Sequence, residues 1–246
     1  MIEYINKKHN YDLISKRRSE LSDMLILESP NIKSHTIKTI SDMDLKLIFE
    51  LYDRLFFGSW FKEKCKCRFK FSLSRRMTKS AGLTICPKNV DRIKPEELVI
   101  EIRIGVDFFF QYGLIEGSKT VCGIRTENSL QALLLVFEHE ICHVIEFILY
   151  KHSKCSGTRF KSIANNIFGH AESYHKLPTH RQIASQKFGI NIGDAVNFTF
   201  DGRNMSGIIY SINKRATVMV KDKNGILSDR YGNRYSKYYV PLSMLN

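Results

Sequence analysis

No two of the six cysteines in this 246-residue chain stand in a CxxC pair, so the spacing signature of a zinc ribbon or a thioredoxin-type redox site is absent. The first 27 residues are broken by charges and contain no continuous apolar stretch, so no signal peptide is read there. No apolar run approaches the length needed to span a bilayer. Internal repeats and low-complexity tracts are also missing. These absences lead to the expectation of a cytoplasmic protein with reduced thiols and no membrane partner. Acidic residues are the scarce charge: 25 Asp and Glu face 38 Lys and Arg, a net +13 at pH 7. A folded protein this basic is expected to meet polyanions, nucleic acid before acidic membrane surfaces. The plainer reading is a solvated basic surface with no specific partner.

The length is enough to bury one core or two. Residues 1–40 are mixed and polar, with a short apolar cluster at Met24–Leu27, and read as a variable N-terminal extension with at most one helix. Ser41 and Asp44 form a capping start, and Ile48, Leu51, Tyr52 and Leu55 follow at helical spacing, which predicts an amphipathic helix over 42–57 ended by Gly58. From Lys66 to Ser74 the apolar residues Cys67, Phe69, Phe71 and Leu73 alternate with Lys66, Arg68, Lys70 and Ser72. Leu98–Ile104 alternates too, with Ile100, Ile102 and Ile104 inward. Together with Ser80–Ile85 these segments predict a small antiparallel sheet. Cys65 and Cys67, one residue apart on an extended segment, are expected to point to opposite faces and not to share a metal.

Residues 127–150 are apolar nearly all round, and such a helix must be buried. Ionisable side chains inside it are costly unless paired or bound to a metal. They cluster at His139-Glu140-Ile141-Cys142-His143, with Glu146 one turn on. Positions i and i+4 share a helix face, so His139 and His143 can bind the same ion. Glu140, at the rim of that face, is placed to take a proton from an attacking water and hand it to the leaving amine. Glu146 is assigned a supporting role, accepting a hydrogen bond that orients a ligand histidine. HExxH alone occurs by chance; its place midway along a buried apolar helix gives it weight. Arg159–Phe168 then reads as a second helix closed by Gly169. Pro178 marks a linker, and from Ile192 several short strands separated by turn signals suggest a small barrel.

With the motif placed, the chain resembles the SprT-like (Spartan-related) zinc metallopeptidase family over about residues 44–180. The resemblance is carried, in order, by the leading helix, Phe71-Ser-Leu-Ser-Arg-Arg, Ala81-Gly82, Val99-Ile-Glu-Ile-Arg-Ile, the His139–His143 motif, Phe160-Lys-Ser-Ile-Ala and Phe168-Gly169-His170. Residues 193–245 resemble the small SH3-like barrel that follows the peptidase domain in some relatives. The resemblance implies an α+β, zincin-like peptidase domain over 41–180, an SH3-like barrel over 188–246, a Zn2+ cofactor and protein substrates. By fold-level analogy it also implies a link to DNA. One departure stands out. The family takes its third zinc ligand from a His-Gly pair just ahead of the second helix; here either Ser156 stands at the matching position or a two-residue deletion removes the pair, and both ways the histidine is absent. His152, Cys155 and His170 compete with solvent alone for that role, while His175 and His180 read as loop histidines.

The stretch from Lys62 to Lys79 is strongly basic, and Lys66, Arg68, Lys70, Arg75 and Arg76 are candidate nucleic-acid contacts. Its alternation sends Phe69 and Phe71 to the core and leaves the cations outside. Two readings follow: an active zinc peptidase acting on proteins associated with DNA, or a catalytically weak relative that binds nucleic acid or serves as a scaffold. The absent histidine favours the second. Retention of Glu140 beside both histidines favours the first.

Overall fold

In the computed structural model, which describes residues 1–246, the polar first forty residues form two helices, α1 (Ile2–Asn6) and α2 (Tyr11–Glu28). The Asn10 side chain caps α2 by accepting from the Leu13 amide at 2.8 Å, which satisfies one of the orphan donors of the first turn. Leu21 and Leu25 of α2, with Ile32 and Ile37 after it, are buried in the main core, and Ile14 is buried as well. Residues 1–40 are therefore not an appendage: they belong to the first of two compact units, Met1–Leu177. Three core residues diluted among the charges of an 18-residue helix give too narrow a stripe to read from sequence.

α3 (Asp42–Phe57) has the expected capping box, Ser41 and Asp44 satisfying each other's backbone donors, and Gly58 ends it in the left-handed region at φ +56°. A short α4 (Trp60–Lys64) follows. Then come β1 (Arg68–Ser74), β2 (Gly82–Ile85) and β3 (Val99–Gly105). The sheet order is β1-β3-β2, with β2 antiparallel to β3 but β1 parallel to it. The sheet is thus mixed, not antiparallel as expected. Alternation tells which face of a strand is buried and carries no information on the direction of its neighbour. Ile100, Ile102 and Ile104 of the central strand are wholly buried, as their spacing requires. Phe69 and Phe71 pack on Phe49 of α3, ring centroids 4.6 and 5.5 Å away.

After α5 (Asp107–Phe110) and the hairpin β4 (Lys119–Val121) and β5 (Ile124–Thr126), the chain enters α6 (Ser129–Tyr150), the 22-residue helix that carries the histidines. Asn128 caps its start by accepting from the Gln131 amide. α7 (Thr158–Phe168) ends at Gly169, again left-handed at φ +67°. Tyr52 of α3 stacks on Phe137 of α6, and Phe168 of α7 meets Tyr52, Phe56 and Phe57 edge-on or tilted. These aromatic contacts lock the three helices around one core.

The second unit, Pro178–Asn246, has its own core. It opens with α8 (His180–Phe188), capped by Thr179 and Gln182, so the unit starts about ten residues earlier than the strand pattern suggested. β6 (Ala195–Phe200), β7 (Arg203–Ile212), β8 (Arg215–Lys221), β9 (Leu227–Ser228) and β10 (Arg234–Pro241) form one antiparallel sheet in the order β6-β7-β8-β10-β9. Asp201 and Gly202 turn β6 into β7, both at positive φ (+48° and +74°), the conformation a two-residue hairpin needs. Val196, Phe198, Ile209, Val218 and Val240 fill the inner face.

Candidate metal centre

α6 brings His139 and His143 to the same face one turn apart, and their Nε2 atoms lie 3.2 Å from each other. Two imidazole nitrogens on one tetrahedral zinc, each about 2.0–2.1 Å from it, would stand about 3.3 Å apart. The pair is therefore spaced as two ligands of one ion. Phe160 of α7 packs against both rings, centroids 4.8 and 4.5 Å away, and fixes their planes.

The outer nitrogen of His143 is assigned by what it touches. His143 Nδ1 is 2.6 Å from the Ser153 hydroxyl, which itself donates to Glu146 Oε2 at 2.6 Å. With its one proton committed to the carboxylate, Ser153 can only accept from His143 Nδ1–H. That tautomer leaves the Nε2 lone pair free for a metal. Glu146 thus reaches His143 through one intervening hydroxyl. It also accepts from the Lys154 amide at 3.1 Å and Arg159 Nε at 2.7 Å. His139 Nδ1 faces the Cys122 thiol at 3.8 Å. Burial pushes both imidazoles down, His139 to about 3 with help from the neighbouring His143, and His143 to about 4. Both are neutral at pH 7, the form that ligates.

Glu140 turns toward the edge strand β2. Its Oε2 accepts from the Thr84 hydroxyl at 2.7 Å, and a Cβ on Gly82 would come within 2.8 Å of its Cγ. Only glycine at 82 leaves room for this carboxylate. Burial raises the Glu140 carboxyl to about 7, with the Thr84 hydrogen bond opposing the shift. A group poised near neutrality can both take and return a proton. Glu140, His139 and His143 line a cleft of about 450 Å³ whose other walls include Gly82, Thr84 and Cys155. Sequence reasoning did not single out Thr84, which is 56 residues from Glu140, or Ser153, whose link to His143 and Glu146 depends on how the loop after α6 folds back.

Glu138, next to His139, points the opposite way. It is wholly buried and accepts from Arg18 Nε at 2.8 Å, Arg18 Nη2 at 2.6 Å, the Tyr52 hydroxyl at 3.0 Å and His170 Nε2 at 2.7 Å. Burial would raise its carboxyl, but the Arg18 charge and these hydrogen bonds outweigh it and hold the group below the usual range. The Nε2 of His170 is therefore committed to this network, and His170 is not among the residues whose ligating atoms meet at the histidine pair. His152 is exposed on the loop after α6. Cys155, two residues beyond Ser153, stands with the histidines: its sulfur and the two imidazole nitrogens all lie within 4.8 Å of one another. His175 lines the cleft from a loop, where its Nε2 accepts from the Ala81 amide at 3.1 Å.

The basic stretch is less free than its sequence suggested. Lys66 pairs with Glu96 at 3.0 Å and Lys70 with Glu101 at 3.2 Å, while Arg75 lies over the Phe110 ring at 5.5 Å. Arg68 and Arg76 are exposed. The Sγ atoms of Cys65 and Cys67 are 2.8 Å apart and do not diverge. The strand begins only at Arg68, and Cys65 ends α4, so strand alternation does not govern the pair.

No curated protein and no solved structure matches the chain. The SprT-like family does match, over residues 45–182, a span that contains most of α3, the mixed sheet, the α6 motif and α7. With more than half of its length in that match, and His139, Glu140 and His143 assembled within it, this chain belongs to the SprT-like family.

Proposed function

We propose that this protein is a zinc-dependent peptidase with a zincin-like catalytic unit. The observation that carries the reading is the His139–His143 pair, with Nε2 atoms 3.2 Å apart and the His143 tautomer set for ligation, beside a buried Glu140 at the wall of an open cleft. When bound, zinc supplies Lewis-acid polarisation of a carbonyl and lowers the pKa of water toward neutrality. The chain's own residues do the rest. Glu140 takes the proton of the attacking water and returns it to the amine that leaves. Thr84 holds the carboxylate that does this, and Gly82 gives it space. Ser153 and Glu146 keep His143 in the ligating tautomer. β2 is an edge strand beside the cleft, so an extended peptide can add to it through main-chain hydrogen bonds.

The test is Glu140→Gln. This variant is expected to fold and to retain zinc while losing cleavage of a protein substrate. Undiminished cleavage would show that another group handles the proton.

The second unit, read as an SH3-like barrel, and the net charge of +13 support substrates associated with DNA. Residues 181–246 carry ten Lys and Arg against four Asp and no Glu. The expected signature is binding to DNA that weakens steeply as salt rises, and salt-independent binding would remove the phosphate-contact argument. The absence of the family's histidine favours a second reading: a catalytically weak relative that acts as a nucleic-acid-binding protein or scaffold. An inactive protein with full DNA affinity would establish it.

A further inference from the structure

The third donor of the metal site is decided by what surrounds α6. His170 is spent on Glu138, on the side of the helix away from the cleft. His152 is exposed, and its carbonyl is held by Arg159 at 3.0 Å. His175 already accepts a backbone hydrogen bond through Nε2. Cys122 faces the outer nitrogen of His139, not the pair of Nε2 atoms. What remains beside those two nitrogens is the sulfur of Cys155.

The loop that carries Cys155 is fastened on both sides of it. Ser153 Oγ and the Lys154 amide both donate to Glu146, and Arg159 bridges Glu146 and the His152 carbonyl. Gly157 then closes a turn onto the Lys154 carbonyl at 2.8 Å and starts α7. Cys155 sits at the crest of this turn, half-buried against the cleft. Glu146 thus sets the tautomer of one histidine and, through the same carboxylate, pins the loop that presents the thiol.

Nitrogen and sulfur ligands of a tetrahedral zinc, at about 2.0 and 2.3 Å from it, would be separated by about 3.6 Å. The observed outer limit of 4.8 Å exceeds that by about 1 Å, a gap that rotation of one half-exposed side chain closes. We infer that the Cys155 thiolate is the third protein ligand, giving a His2Cys set in place of three imidazoles. The inference rests on the proposed metal reading and deepens it. A thiolate donates more charge than an imidazole and favours softer ions. The site is therefore expected to hold zinc tightly, to accept cobalt and cadmium, and to be open to thiol-directed reagents.

Cobalt(II) is the probe, added as one equivalent to the 246-residue chain after removal of zinc. Visible d–d bands report tetrahedral binding, and a near-ultraviolet thiolate-to-cobalt charge-transfer band reports sulfur ligation. The parent is expected to show both. Cys155→Ser should lose the charge-transfer band and bind cobalt at least tenfold more weakly, with circular dichroism unchanged. Cys155→His should restore binding without the band, and His139→Ala should lose both signals. Cobalt bound by the parent without a charge-transfer band, or a band that survives Cys155→Ser, would overturn the Cys155 assignment and leave the two-histidine site standing. A parent that binds neither cobalt nor zinc would overturn the metal reading itself, and this inference with it.

Discussion

Replacing Arg18 by methionine keeps an unbranched apolar stem and removes the guanidinium that makes two bonds to Glu138, at 2.8 and 2.6 Å. Glu138 has no exposed surface, so water cannot take over. Breaking a buried ion pair by removing one partner costs about 3–5 kcal/mol, because an uncompensated charge stays in the core. The Tyr52 hydroxyl and His170 still donate to Glu138 in the variant, which places the expected loss near the lower end, about 3 kcal/mol. At about 2–4 °C per kcal/mol for a chain of this size, Tm should fall by about 6–12 °C. Trp60 is the only tryptophan and lies in the first unit, so its fluorescence during urea or thermal unfolding reports that unit alone. The loss should depend on pH in a defined direction. In the parent the folded pKa of Glu138 lies below its ordinary 4.5, so its contribution is present above that value and is lost as pH falls through the folded pKa. In the variant, burial without Arg18 raises the folded pKa, so the penalty applies at neutral pH and is relieved in acid. The gap between parent and variant should therefore narrow as the pH is lowered. Adding Glu138→Gln to Arg18→Met should recover about 1–3 kcal/mol relative to the sum of the single changes. An Arg18→Met protein within about 1 kcal/mol of the parent, or strictly additive variants, would refute the reasoning.

Gly82→Ala should leave the fold in place at a cost of about 1–3 kcal/mol yet displace Glu140, so kcat should drop far more than metal content; equal activity would show that the carboxylate has room to spare. Ser153→Ala breaks the chain from Glu146 to His143 and should weaken zinc binding about 10–100-fold. Ser153→Thr should restore it, which a competition titration against a chromophoric chelator can measure. Tyr52→Phe removes a buried donor shared by Glu138 and the Leu134 carbonyl and should cost about 1–3 kcal/mol in the same Trp60 unfolding assay. Stripping zinc with a chelator should lower the midpoint of that transition, and adding zinc back should return it.

Helix α3 and the histidine helix were legible because their signals are local. A capping box, a glycine stop and an i, i+4 ligand pair need no knowledge of distant residues. The inward isoleucines of β3 were legible for the same reason, since alternation assigns faces. Strand direction was not, because nothing in Arg68–Ser74 says that its neighbour will be a strand thirty residues on. The part played by α2 was hidden further. Arg18 and Glu138 are 120 residues apart, and an arginine in a charged helix looks like any solvated one. The only hint was the reverse argument: a carboxylate midway along an apolar helix must have a counter-charge somewhere. At the site, Cys155 was visible as a contender, but the choice between it and His170 depended on which side of α6 each one reaches. That is a property of the packing.

The family match begins at residue 45, whereas the cation that neutralises Glu138 sits at position 18. An expression fragment cut to the matched segment would strip Leu21 and Leu25 from the core and leave a bare anion beside the histidine motif. It would also stop at residue 182, inside α8, and so carry a broken piece of the second unit. Such a fragment is expected to aggregate, and its failure would say nothing about the chemistry of the intact chain. Here the segment that matches the family and the segment that folds are different lengths of the same polypeptide.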